Sequence, residues 1–176
     1  MNTKFTRREF VHLSGAAAVG ALLAACGGTP TATPVPAKPP AATTPKTFGL
    51  TVAEAMAAVP SITPAEARKR MDSDRNTLVI DVRDAADITA SGIVPGAVAI
   101  SYGALTYQAD NGVPPEWRSP QLADRSRPII TYCQAGPLGA LAGKMLHDMG
   151  FSNVSILAGG VQAWKDAGFP TQKFPS

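Results

Sequence analysis

Short runs dense in β-branched and large apolar side chains punctuate this chain, and they limit its fold more than any other feature. Leu78–Val82 ("LVIDV"), Ala97–Ile100, Pro128–Tyr132 ("PIITY") and Asn153–Leu157 are rich in β-branched and other large apolar side chains. A strand with one wet face alternates apolar and polar residues. Leu78–Val82 is instead a continuous β-rich run, of the kind that lies buried in a parallel sheet covered by helices. The segments between the runs read as helices. Thr51–Val59 is a short one closed by Pro60, and Thr63-Pro64-Ala65-Glu66 is a capping box with proline at the first helical position, leading toward Met71. Asp84–Ala90 is a third. Leu138–Met149 places Leu141, Met145 and Met149 on one face before Gly150 stops it, and Val161–Ala167 turns Trp164 inward. Residues 101–127, with scattered charges and the adjacent Pro114 and Pro115, read as a long irregular excursion. Strands alternating with helices at this spacing predict an α/β fold with a central parallel sheet flanked by helices.

Composition narrows the function classes. Apolar residues make up 45% and charged residues 16%, which suits a packed core rather than disorder. The pI near 9.0 owes much to the N-terminus: beyond residue 25 the chain carries 13 basic and 12 acidic side chains. No basic stripe with interleaved aromatics remains, so nucleic acid is not an expected partner. With two cysteines (Cys26 and Cys133), no C-x-x-C and two histidines (His12 and His147), no metal-ligand set is offered and no cofactor is expected.

The first 47 residues read as an address and a tether. A charged start precedes Val11–Ala25, a small-residue apolar run shorter than the roughly 20 residues of a bilayer-spanning helix. Thr6-Arg7-Arg8-Glu9-Phe10-Val11 resembles the twin-arginine export motif, and Leu23-Ala24-Ala25-Cys26 resembles the lipobox of bacterial lipoprotein precursors. Those resemblances imply a signal peptide over 1–25, cleavage before Cys26 and lipid on its sulfur. The mature chain would then be exported and lipid-anchored, on the outer side of the bacterial cytoplasmic membrane or in the periplasm. Residues 26–47 follow as a linker; six of the 21 residues from Gly27 to Thr47 are proline, which favours an extended, solvated chain. Residues 48–61 are read as a helical extension and 62–173 as the main domain.

The candidate site is the stretch Thr131–Ala140 ("TYCQAGPLGA"). Cys133 directly follows an apolar strand and precedes a turn holding Gly136, Pro137 and Gly139. Two readings stand: a reactive thiol cradled by a loop, or a small buried hydrophobe at a strand end. At the carboxyl end of a parallel strand entering a helix, loop N–H groups converge and the helix N-terminus adds positive potential. Such a setting supports an anionic sulfur.

Four landmarks now align in order: "TPAEARKRM", "LVIDVRDAADI", "SGIVPGAVAIS" and the long "PIITYCQAGPLGALAGKMLHDMGFSNVSILAGGVQAW". From Ile62 to Pro170 the chain resembles a single rhodanese domain. The resemblance implies a three-layer fold and a catalytic Cys133 that takes sulfane sulfur from a donor and yields it to an acceptor thiol or cyanide, with no metal. It implies that Gln134, Ala135, Gly136, Pro137, Leu138 and Gly139 form the loop that cradles the anion. Asp81 and Arg83 match the family's D-x-R and are expected to brace the strand end.

The loop also departs from the family. Active loops commonly read C-x-x-G-x-R; here Gly136 is in place, but Leu138 occupies the arginine position and Gln134 stands where arginine is also frequent. Pro137 removes one N–H, and Ile93 replaces the histidine of G-H-I-P-G-A. Losing a charge-assisted contact costs about 1.5–3 kcal/mol, so thiosulfate is expected to be a poor donor. Related phosphatases and arsenate reductases need C-x-x-x-x-x-R, and that arginine position is Gly139. Tyr102 and Trp117 are candidates for a pocket mouth or simple packing, and His147 is expected to face solvent. The sequence thus supports an extracytoplasmic sulfurtransferase working on a sulfane donor and a thiol acceptor. The alternative is a non-catalytic rhodanese-like module that binds a partner protein.

Overall fold

The computed structural model describes residues 45–175; the leader, Cys26 and all but the last three residues of the linker lie outside the described residues. In chain order the elements are α1 (Phe48–Ala58), β1 (Ser61–Ile62), α2 (Pro64–Ser73), β2 (Leu78–Asp81), α3 (Ala85–Ser91), β3 (Val98–Ala99), α4 (Tyr102–Gln108), β4 (Ile129–Tyr132), α5 (Pro137–Asp148), β5 (Val154–Leu157) and α6 (Gly160–Asp166). Two 3₁₀ turns, Pro115–Trp117 and Pro120–Leu122, lie between α4 and β4. The five strands form one sheet in the order β1-β5-β4-β2-β3, and every pairing is parallel.

The period of two along each strand sorts the core into two layers. Leu78, Ile80, Ile129 and Ile156 point to one face, where they meet Ala55 of α1, Leu105 of α4 and Ala140 and Leu146 of α5. Val79, Ile130, Tyr132 and Leu157 point to the other, against Ala67 of α2, Ile88 of α3 and Trp164 of α6. This is a three-layer α/β arrangement, and it explains why the strand residues are mostly apolar on both sides: both faces of the sheet are covered. Trp164 is fully buried and donates its indole N–H to the Pro170 carbonyl at 2.8 Å.

The structure refines several sequence expectations. Thr63 and Glu66 form the complete capping box of α2. The first helix begins at Phe48, three residues early, because the Thr47 side chain caps it by accepting from the Leu50 N–H. The segment expected to be irregular holds α4, capped by Ser101. The two residues of strand β1 carry no periodic signal in the sequence. Its register is set by pairing with Ile156 and Leu157 of β5. Ile93, at the histidine position of the family motif, is buried and exchanges two backbone hydrogen bonds with Gln172, pinning the C-terminal segment. Among the described residues no helix is long and apolar enough to cross a membrane.

Candidate active site

The topology places a crevice at the carboxyl ends of β2 and β4. From β2 the chain crosses through α3 to β3 on one side; from β4 it crosses through α5 to β5 on the other, and the two helices lie on opposite faces. Where connections diverge in this way, the loops part and leave room for a ligand. Arg83 follows β2 and Cys133 follows β4, so both stand at this switch point.

Cys133 continues the alternation of β4, sharing the face of Ile129 and Thr131 beneath α5, with only 5% of its surface exposed. The chain then turns through Gly136, whose φ of +113° is one that side-chain-bearing residues rarely adopt. That turn aims the Gly136 N–H at the Cys133 sulfur, 3.2 Å away. Helix α5 begins at Pro137, its open end next to the loop; Leu138 and Gly139 still carry first-turn N–H groups without a partner inside the helix, while Pro137 has none.

The loop is held from behind by the start of α6. Val161 N–H donates to the Cys133 carbonyl at 2.9 Å and Gln162 N–H to the Gln134 carbonyl at 3.0 Å. The approach is so close that a Cβ on Gly160 would lie 2.3 Å from the Cys133 carbonyl oxygen, which accounts for a glycine there. Gly139 serves the same purpose on the α5 side: a Cβ would lie 2.8 Å from the Tyr132 Cα.

Arg83 and Asp81 brace the site from β2. Arg83 Nε donates to Asp81 Oδ1 at 2.9 Å and Nη2 to Asp81 Oδ2 at 2.6 Å. The remaining N–H groups go to Ser91 Oγ, the Gly92 carbonyl and Gln134 Oε1. All five guanidinium donors are therefore committed. Burial works against the Arg83 charge, yet the hydrogen bond and charge of Asp81, with a smaller contribution from Asp87, hold its pKa above the ordinary arginine value. Burial likewise pushes the Tyr132 phenol well above its usual range, helped by the Asp81 charge, and its oxygen accepts from the Val94 N–H at 3.1 Å.

Above Cys133 opens a cleft of about 840 Å³. Its apolar wall comes from Val82, Tyr102, Pro137 and Leu138, with exposed Phe48 of α1 beside them; Arg83, Asp84 and Asp87 supply charge. Of the loop residues named from the sequence, Gln134, Ala135, Pro137 and Leu138 line this cleft, whereas Gly139 is buried behind it. Tyr102 is at the cleft. Trp117 is not: it stands 57% exposed with its ring edge-on to Tyr107 in a separate shallow groove. His147 faces solvent in the last turn of α5. Phe48, Asp84, Asp87 and Ser91 were not singled out in the sequence. Asp84 directly follows the D-x-R of Asp81 and Arg83, and Asp87 lies one helical turn on, both within the "LVIDVRDAADI" landmark.

Residues 63–167 match the model of the rhodanese-like domain. A putative thiosulfate sulfurtransferase from Synechococcus elongatus is 30% identical over 136 residues, covering 70% of this chain but 42% of that protein. Among solved structures, a Rhodopseudomonas palustris protein of unknown function, described as a possible tyrosine phosphatase, is 29% identical with a TM-score of 0.68, covering 74% of this chain and 97% of its own. The polysulfide-sulfur transferase homodimer of Wolinella succinogenes is 27% identical with a TM-score of 0.57, covering 73% of this chain and 88% of its own.

Proposed function

This chain belongs to the rhodanese-like family and has sulfurtransferase relatives, and on that premise we propose that Cys133 carries sulfane sulfur as a persulfide. The supporting observation is the Gly136 N–H held 3.2 Å from the sulfur at the open end of α5. In the first half-reaction the Cys133 thiolate attacks the outer sulfur of a donor R–S–SH. A sulfur–sulfur bond forms to Cys133, the donor's own sulfur–sulfur bond breaks, and R–S⁻ leaves with the electron pair. In the second, an acceptor thiolate attacks that outer sulfur and Cys133 departs as the thiolate. No net oxidation occurs and no general base is needed beyond solvent.

Thiosulfate is a weak donor in this reading. Leu138 supplies no cation, and Arg83 has no donor left to offer an anion. The phosphatase description of the Rhodopseudomonas relative transfers poorly for the same reason. The position that would hold the phosphate-binding arginine is Gly139, packed against the backbone of β4. A lipid on Cys26, following an export signal, would tether the domain outside the cytoplasm.

Intact-mass measurement after exposure to glutathione persulfide, polysulfide or thiosulfate tests the proposal. The expected result is a one-sulfur gain that disappears in Cys133→Ser and is discharged by added thiol. No gain from any of these three donors, nor from the cationic persulfide of cysteamine, would leave a binding module in place of an enzyme.

A further inference from the structure

Resting on the sulfur-transfer reading, we infer that the cleft selects its donor by charge. It takes an organic persulfide, R–S–SH, whose R group is apolar and uncharged or amine-bearing, and turns away anionic donors. The first ground is the inventory of charge at the cleft. Among the described residues lining it, Arg83 is the only cationic side chain, and its charge is matched by Asp81 in a fully buried pair. Asp84 and Asp87, both exposed, add two more negative charges to the wall, so its side-chain charges sum to net negative. Lys165 approaches from α6, but its ammonium donates to the Ser91 carbonyl at 2.6 Å and does not line the cleft.

The second ground is the wall opposite. Val82, Tyr102, Pro137 and Leu138 with Phe48 present an apolar surface next to the sulfur. A small organic R group gains by leaving water there, whereas thiosulfate has nothing to bury. The third is geometric. Asp84 and Asp87 stand at the opening of α3, where they partly offset that helix's own positive end and so cancel a potential attraction for anions. A cleft with low-dielectric walls and a net charge of one sign focuses that field on whatever enters. The transfer is the one written above: the donor's inner sulfur leaves as R–S⁻, and the charge of R decides how readily the donor arrives.

Two measurements on the full chain test this. In the first, Cys133 is labelled with a trimethylammonium-ethyl or a sulfonato-ethyl methanethiosulfonate of similar size. Each reaction forms Cys133–S–S–R and releases methanesulfinate. Rates are read on the Cys133 peptide by mass spectrometry and divided by those of a small free thiol. The cationic reagent is expected to be favoured by roughly tenfold beyond the free-thiol ratio. That preference should shrink in Asp84→Asn/Asp87→Asn, and in the unmodified protein at about 1 M salt, where charges are screened within ~3 Å. A ratio at or below that of the free thiol overturns the inference.

The second measurement compares the persulfides of cysteamine and of 3-mercaptopropionate as sulfur donors. Faster loading from the cysteamine persulfide supports the inference; equal or reversed rates overturn it. The labelling needs no persulfide chemistry. If Cys133 accepts no sulfur while the labelling preference holds, the transfer reading fails and the charge selection stands. If sulfur is transferred with no charge preference, only the selection fails.

Discussion

Leu138 sits in the first turn of α5, half-buried, with its side chain against the cleft and the edge of the core. It stands where a cation would meet an anionic donor, and Arg83, the one arginine lining the cleft among the described residues, has its donors committed elsewhere. Gln134, at the other position where arginine is frequent, instead accepts the fifth Arg83 donor at 2.9 Å. An arginine at 134 would set like charge against Arg83 rather than satisfy it. Leu138→Arg should therefore lower the KM for thiosulfate by roughly ten- to a hundredfold, the worth of one charge-assisted contact. Steady-state assays with cyanide as acceptor measure it. An unchanged KM would mean that Asp84 and Asp87 outweigh a single restored cation.

At the scale of elements, the site depends on how closely α5 and α6 approach the end of β4. Thr131 Oγ1 donates to the Gly139 carbonyl at 2.9 Å, clamping the first turn of α5 to the strand. The missing Cβ at Gly139 lets the helix settle on the Tyr132 backbone. Gly139→Ala places a methyl group 2.8 Å from the Tyr132 Cα, backbone that cannot swing aside. We expect about 1–3 kcal/mol of destabilisation, the usual range for an overpacked core. The same shift should slow labelling of Cys133, because the Gly136 N–H moves with α5. Urea unfolding and thiol-labelling kinetics check the two effects; a stable variant with unaltered labelling would show that the contact is slack.

At the scale of the whole molecule, α1 is continuous with the core. Ala55 and Val59 are buried, at 0% and 2% exposure, in the cluster that also contains Ile156 of β5 and Ala142 of α5. Val59 Cγ1 lies near the space that Gly143 leaves open on α5. The region matched by the family model begins at residue 63, after both of them. Val59→Ala should cost about 2 kcal/mol, as for a buried aliphatic truncation, with a single cooperative transition retained. Chemical denaturation measures it, and a loss near zero would mark α1 as an appendage. Phe48, at the start of the same helix, reaches the cleft, so this segment joins the core to the site.

Much of this protein is written locally. Runs dense in β-branched and apolar residues point to strands buried on both faces, because too few polar alternates remain to present a face to water. The Thr63–Glu66 box fixes a helix start, and the order strand–Cys–Gly-turn–helix places Cys133 at a strand's carboxyl end. Those features depend on neighbours a few residues apart, so the sequence determines them alone. The two-residue β1 exists only because β5 offers it a pairing partner, and the reach of α1 over α5 has no periodic signature. Nor could the sequence tell that Arg83 spends all five donors on groups up to 51 residues away. It could not place Phe48 beside Leu138, or give the cleft wall a net negative charge through Asp84 and Asp87. Charge balance in a site is a sum over distant segments, and only the tertiary structure decides which of them come together.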